Sequence, residues 1–196
     1  LHDDDHYVTA RDMAKISKAA LENETFRYVA CKPNYYITPT NKDKHGKELW
    51  NHHKMVKRTM FNYDGVEGGK TGYTTKAGGT LVTFAKRGDQ ELIVVDLCAH
   101  GYELYEDTIK MLNYGFNNYK TIAPFKTMNT VLKDDTYGFL KTGNELSPYK
   151  IPLKHLNDVT VMLEKNQSAS KLTYKCKDNK YIISYDGKQI GSVKLH

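Results

Sequence analysis

Residues 64–79 read Asp-Gly-Val-Glu-Gly-Gly-Lys-Thr-Gly-Tyr-Thr-Thr-Lys-Ala-Gly-Gly, and they concentrate groups able to do chemistry. Lys70 offers a fixed positive charge and Thr71 a hydroxyl, a pair suited to holding a carboxylate. Gly68, Gly69 and Gly72 carry no side chain, so another backbone or a ligand can approach closely. If the stretch lies on a strand edge, the Tyr73 N–H can donate to a developing oxyanion and an extended peptide can add alongside.

Gly69-Lys70-Thr71 also resembles the end of a phosphate-cradling loop, which requires Gly, four residues, then Gly-Lys-Ser/Thr. Counting back, the first Gly belongs at position 64, which is Asp; Gly65 is one residue too close. Glu67 places a carboxylate inside a loop meant for anions. A helix should start at Lys70, and Gly72, Gly78 and Gly79 oppose one. The strand reading is preferred.

The elements around the stretch follow from periodicity. Thr9-Ala10-Arg11-Asp12 is a capping-box pattern, with Ala10, Met13, Ala14, Ser17 and Leu21 on one helical face, predicting a helix over 9–22. Residues 33–49 read as loop and strand, and 51–55 as a short turn or helix. From Val66, the Gly-rich Lys-Thr-Gly run and the two apolar-rich runs after it predict three consecutive antiparallel strands. Leu104, Tyr105, Thr108, Ile109 and Leu112 mark a second amphipathic helix ending near Gly115. This predicts an α+β domain over 1–119, an antiparallel sheet with flanking helices. Short alternating runs at 127–132, 137–141, 158–163, 181–184 and 189–195 predict a small all-β sandwich domain over 120–196.

Composition narrows the partners. The 196 residues carry a net charge of +6, which favours anionic partners such as nucleic acid, a phospholipid surface or an anionic cell-wall polymer, with a solvated basic surface the preferred reading. The lysines are scattered rather than clustered with aromatics, so no nucleic-acid site is expected. Cys31, Cys98 and Cys176 are odd in number and far apart, matching neither a disulfide framework nor a metal knuckle. His2, Asp3, Asp4, Asp5 and His6 form an acidic, His-containing run, read as a solvated loop rather than a metal site. No metal and no cofactor is expected. His52 and His53 lie on the approach to the Lys-Thr-Gly stretch, with local packing preferred over a cleft-lining role.

Residues 65–87, with Lys70-Thr71-Gly72 at their centre, resemble the third active-site motif of the serine-type D-alanyl-D-alanine carboxypeptidases, the low-molecular-mass penicillin-binding proteins. The segments 2–16, 50–55 and 105–119 are similar to other parts of that family's catalytic domain, and 120–196 loosely to its C-terminal β domain. A second Lys141-Thr142-Gly143 lacks the surrounding residues and reads as a chance turn. The resemblance implies a β-lactamase/transpeptidase-like fold and an enzyme acting on the D-Ala-D-Ala end of peptidoglycan stem peptides, outside the cytoplasmic membrane. It also implies binding of β-lactams, and it leaves room for peripheral membrane association. Lys70, Thr71, Gly72 and Thr74 then fall at substrate-binding positions, Lys70 also at a catalytic one, and the Tyr73 N–H in the oxyanion hole. For Thr74 and the turn after it, positioning of the strand is an equally good reading.

The same family requires a Ser-x-x-Lys nucleophile and a Ser-x-Asn upstream. Ser17 is the one serine before Lys70, and the residue three beyond it is Ala20. Ser147-x-x-Lys150 and Ser168-x-x-Lys171 fit the pattern but follow the Lys-Thr-Gly stretch and read as coincidences. The expectation is therefore the C-terminal part of such an enzyme, completed by a missing N-terminal part and inactive alone. The alternative is a non-catalytic wall- or protein-binding module.

Overall fold

The computed structural model describes residues 3–57, 60–126, 130–132, 137–142, 145–146, 151–152, 159–178 and 180–194. They divide into two compact units, Leu1–Asn117 and Asn118–His196.

The first unit begins with helix α1 (Ala10–Leu21), whose start is set by Thr9: its hydroxyl oxygen accepts from the Asp12 N–H at 3.1 Å. Ser17 is the buried residue of this helix, and α1 packs against the central sheet. A second helix, α2 (Glu24–Ala30), was not predicted; Asn23 caps it by accepting from the Phe26 N–H at 3.0 Å. Its 7 residues bury none of their number, so no apolar period could announce it. Strands β1 (Asn34–Ile37) and β2 (Lys47–Trp50) form an antiparallel hairpin.

The central sheet has the order β3-β4-β5, with β3 (Val66–Thr74), β4 (Gly78–Arg87) and β5 (Gln90–Ala99) all antiparallel. Along β4, Leu81 and Ala85 alternate with Val82 and Phe84, and all four are buried. Leu81, Ala85 and Val94 join Met55, Phe61 and the inner face of helix α3 (Glu103–Asn118) in one core. On the opposite face, the Phe84 ring lies 6.3 Å from that of Phe26 in α2. The sheet with flanking helices is the predicted architecture. Helix α3, however, does not stop at Gly115: it runs to Asn118. Gly115 serves packing instead, since a Cβ there would lie 2.6 Å from Leu92 Cδ1.

In the second unit, β6 (Tyr119–Ile122) is followed by β7 (Thr130–Leu132), β8 (Tyr137–Thr142), β9 (Glu145–Leu146) and β10 (Ile151–Pro152). Then come β11 (Val161–Glu164), β12 (Leu172–Lys177), β13 (Lys180–Tyr185) and β14 (Lys188–Lys194). Strand β6 pairs β11, β8 pairs β7, β9 and β10, and β13 lies between β12 and β14. Val161 and Leu163 from one sheet meet Leu172, Tyr181 and Ile183 from another, with Phe125, in a single core. Among the described residues no helix is long and apolar enough to cross a membrane.

Candidate functional site

Strand β3 is an edge of its sheet: it pairs with β4 on one side and with no other described strand. Lys70, Thr71 and Gly72 sit in the strand opposite Val82, Leu81 and Thr80. Lys70 is thus held in extended backbone, not at a helix start, as the strand reading requires.

The two residues before Lys70 are glycines because both flanks of the strand are crowded. A Cβ on Gly68 would lie 2.6 Å from Cys31 Sγ and 2.9 Å from the Ala30 carbonyl oxygen, at the end of α2. A Cβ on Gly69 would lie 2.2 Å from the Val82 carbonyl oxygen and 2.6 Å from His53 Cδ2. The approach of helix and histidine to opposite sides of β3 fixes the backbone that presents Lys70.

His53 is the central support. It is fully buried, and its Nε2 lies 2.9 Å from Thr83 Oγ1. Its ring meets that of Tyr105 edge-on, 5.8 Å between centroids, and Tyr105 stacks on Phe61. Burial drives its pKa down to about 4, against a smaller opposing contribution from the backbone of Val82, so the imidazole is neutral at pH 7. Its own backbone N–H donates to Asn51 Oδ1, and Asn51 Nδ2 donates to the carbonyls of Ala30 and Lys32. Packing, the preferred reading for His53, is what the structure places there. Sequence reasoning missed that its packing partner is the backbone next to Lys70. The adjacent Gly68-Gly69 pair was the available signal, since two bare positions imply two close neighbours.

Side chains alternate along β3, so Gly68, Lys70 and Gly72 share one side and Gly69, Thr71 and Tyr73 the other. The Lys70 side chain is exposed, and its ammonium donates to the carbonyl of Thr71. Thr71 is half-buried, and the Tyr73 ring is 76% exposed. Gly72 admits Thr80, whose Oγ1 would lie 2.6 Å from a Cβ. Thr74 Oγ1 accepts from the Ala77 N–H at 3.0 Å, closing the turn into β4, and Lys76 in that turn pairs with Asp4 at 2.7 Å.

Charge near the strand's start is compensated. Arg27 on α2 donates to Glu67 at 2.8 Å and to Glu91 at 3.2 Å, and Lys86 reaches Glu91 at 3.1 Å. Partial burial pushes the Glu91 carboxyl up, but Lys86 and Arg27 outweigh it and the net shift is downward.

Among the described residues, neither Ser17 nor the Ser168-x-x-Lys171 pair is arranged as a nucleophile with its base. Ser17 is buried in α1. Ser168 Oγ lies 2.8 Å from Ser170 Oγ, while the Lys171 ammonium is directed to Asp186 at 3.5 Å. Ser147 to Lys150, Gly143 and His2 lie outside the described residues.

A family-wide sequence profile described as D-alanyl-D-alanine carboxypeptidase, peptidase family S11, matches residues 1–101. D-alanyl-D-alanine carboxypeptidase DacF of Bacillus subtilis (strain 168) is 28% identical over 201 residues, covering 100% of this chain and 48% of that protein. DacC of Escherichia coli (strain K12), a D-alanyl-D-alanine carboxypeptidase by name, is 32% identical over 122 residues, or 61% of this chain and 28% of that protein. Among solved structures, penicillin binding protein 5 from Haemophilus influenzae shares the fold, with a TM-score of 0.63 at 24% identity over 100% of this chain and 57% of that one. A mutant of the Streptomyces K15 DD-transpeptidase aligns with a TM-score of 0.54 at 29% identity, over 60% of this chain and 45% of that one. The chain spans about half or less of the length of the curated relatives named here.

Proposed function

This chain belongs to the D-alanyl-D-alanine carboxypeptidase family, and we propose that it supplies the substrate-holding wall of such an enzyme, acting on peptidoglycan stem peptides outside the cytoplasmic membrane. The observation that carries the reading is Lys70-Thr71-Gly72 on an open strand edge, with Lys70 exposed and Thr71 half-buried, backed by Gly68 and Gly69. Because Lys70 and Thr71 alternate in direction, a peptide lying along the edge, rather than on either face, is placed where both reach its terminal carboxylate. The Tyr73 N–H then forms half of the oxyanion hole.

The nucleophile is a serine outside these 196 residues. Its Oγ attacks the carbonyl carbon of the D-Ala-D-Ala bond, and its proton passes to the leaving amine as the C–N bond breaks. Water then cleaves the resulting ester. β-Lactams acylate the same serine. Thr74 acts through the turn it closes, as a positioning residue.

In the full-length enzyme, Lys70→Ala is expected to lower kcat/KM for D-Ala release about 100- to 1,000-fold, the size associated with lost transition-state contacts. Turnover at the wild-type rate refutes the assignment. The 196-residue chain alone is expected to take up no fluorescent penicillin; stoichiometric covalent labelling would show that it holds its own nucleophile.

A further inference from the structure

Beside the Lys-Thr-Gly strand the molecule exposes a ribbon that the catalytic reading does not use. All eight residues of the β1–β2 hairpin are exposed, an unusual state for a pair bearing Tyr35, Tyr36 and Trp50. These rings are 57%, 54% and 50% exposed, and Tyr28 at the end of α2 is 62% exposed. The register sets Tyr36 and Trp50 on one face of the ribbon and Tyr35 on the other.

The rings are held in place. Tyr36 donates to the His45 carbonyl at 3.1 Å and lies across Gly46, where a Cβ would sit 2.4 Å from its hydroxyl oxygen. Gly46 also takes φ +68°, which favours glycine. Ammonium groups accompany the rings: Lys32 Nζ is 4.3 Å from the Tyr28 ring centroid and 5.8 Å from that of Tyr35, and Lys57 Nζ is 5.9 Å from Trp50. A lysine laid over a ring still has N–H donors turned outward. Residues 32–57 hold six lysines against Asp43 and Glu48, a net +4 out of the chain's +6.

The ribbon is joined to the site. Asn51, directly after β2, donates to the carbonyls of Ala30 and Lys32, and the Ala30–Cys31 end of α2 packs against Gly68. An extended peptide spans about 3.5 Å per residue, so a stem a few residues long keeps its polymer within about 10–20 Å of β3.

We propose that the Tyr28–Tyr35 face of this ribbon, with Lys32, is a docking surface for the glycan strand of peptidoglycan and the stem-peptide carboxylates beside it. The inference rests on the functional reading above for its choice of polymer. Tyr and Trp rings present flat apolar faces to sugar C–H groups and polar tips to sugar hydroxyls. Lys32 meets the stem-peptide carboxylates.

The test uses the full-length protein carrying Tyr28→Ala and Tyr35→Ala together, both exposed positions, and separately Lys32→Glu. Co-sedimentation with purified peptidoglycan stripped of phosphodiester polymers is expected to weaken about tenfold or more, as truncation of aromatic anchors does. D-Ala release from the polymer should fall with it, through KM, while kcat/KM on a soluble D-Ala-D-Ala peptide stays within about twofold of wild type. Unchanged co-sedimentation, or equal losses on peptide and polymer, overturns the proposal. So does wild-type binding that disappears when phosphodiester polymers are stripped, or that transfers to vesicles containing phosphatidylglycerol. If the wild-type enzyme releases D-Ala from neither substrate, the functional reading fails, and the co-sedimentation result still decides whether the ribbon binds glycan.

Discussion

Lys70 is presented by its neighbours more than by itself. The pair Gly68-Gly69 lets a helix end and a buried histidine press on opposite sides of one strand, so the backbone entering Lys70 has little room to move. Gly69→Ala forces a methyl to within 2.2 Å of the Val82 carbonyl oxygen, a backbone atom that cannot rotate away. The expected cost is about 1–3 kcal/mol of stability, read from urea denaturation. His53 adds a pH dependence. Its imidazole resists protonation down to about 4 in the folded protein, against 6.5 as the ordinary value. Between those values the unfolded chain takes up a proton that the folded one refuses, so acid favours unfolding. The contribution is fully present above pH 6.5 and is lost as pH falls towards 4; at about 1.4 kcal/mol per unit it amounts to about 3 kcal/mol. Stability measured from pH 7.5 to 4.5 should drop more steeply in wild type than in His53→Asn. Parallel curves would show that His53 protonates without penalty.

At the scale of elements, legibility followed periodicity. Helices α1 and α3 declare themselves by the period of one inner face, β4 and β5 by apolar runs bounded by turns, with β4 buried on both faces, and β3 by its glycines and motif. Helix α2 buries no residue, and β2 is exposed throughout, so neither left a pattern to read. Gly115 misled for a related reason: a glycine that ends a helix and one that admits Leu92 look alike in sequence. The Lys-Thr-Gly motif was legible as chemistry, whereas its supports at Cys31 and His53 were not, because they arrive from distant segments. Thr74 tests the division of labour within the β3–β4 hairpin. Its hydroxyl oxygen accepts from Ala77, so Thr74→Ala is expected to remove about 1 kcal/mol and lower Tm by about 2–4 °C. Thr74→Ser keeps the acceptor and should restore both stability and D-Ala release. A serine variant that is stable yet slow would assign Thr74 a direct contact with substrate.

At the scale of the molecule, the two compact units own separate cores. The first draws Met55, Phe61, Leu81, Val94, Leu104 and Leu112 from residues before 117. The second draws Phe125, Val161, Leu163, Leu172, Tyr181 and Ile183 from residues after 118. Each buried cluster is drawn from residues of its own unit. Residues 118–196 expressed alone are therefore expected to unfold cooperatively with urea and to disperse the amide resonances of β12, β13 and β14. The full chain should show two transitions, of which only the earlier or the later, never both, moves with Gly69→Ala. A single transition displaced as a whole by that substitution, or a 118–196 segment without cooperative unfolding, would mean that the second core depends on the first. The same separation places the proposed chemistry, from Lys70 to the exposed aromatic ribbon, within the first unit, so removing residues after 118 is expected to leave glycan binding in place.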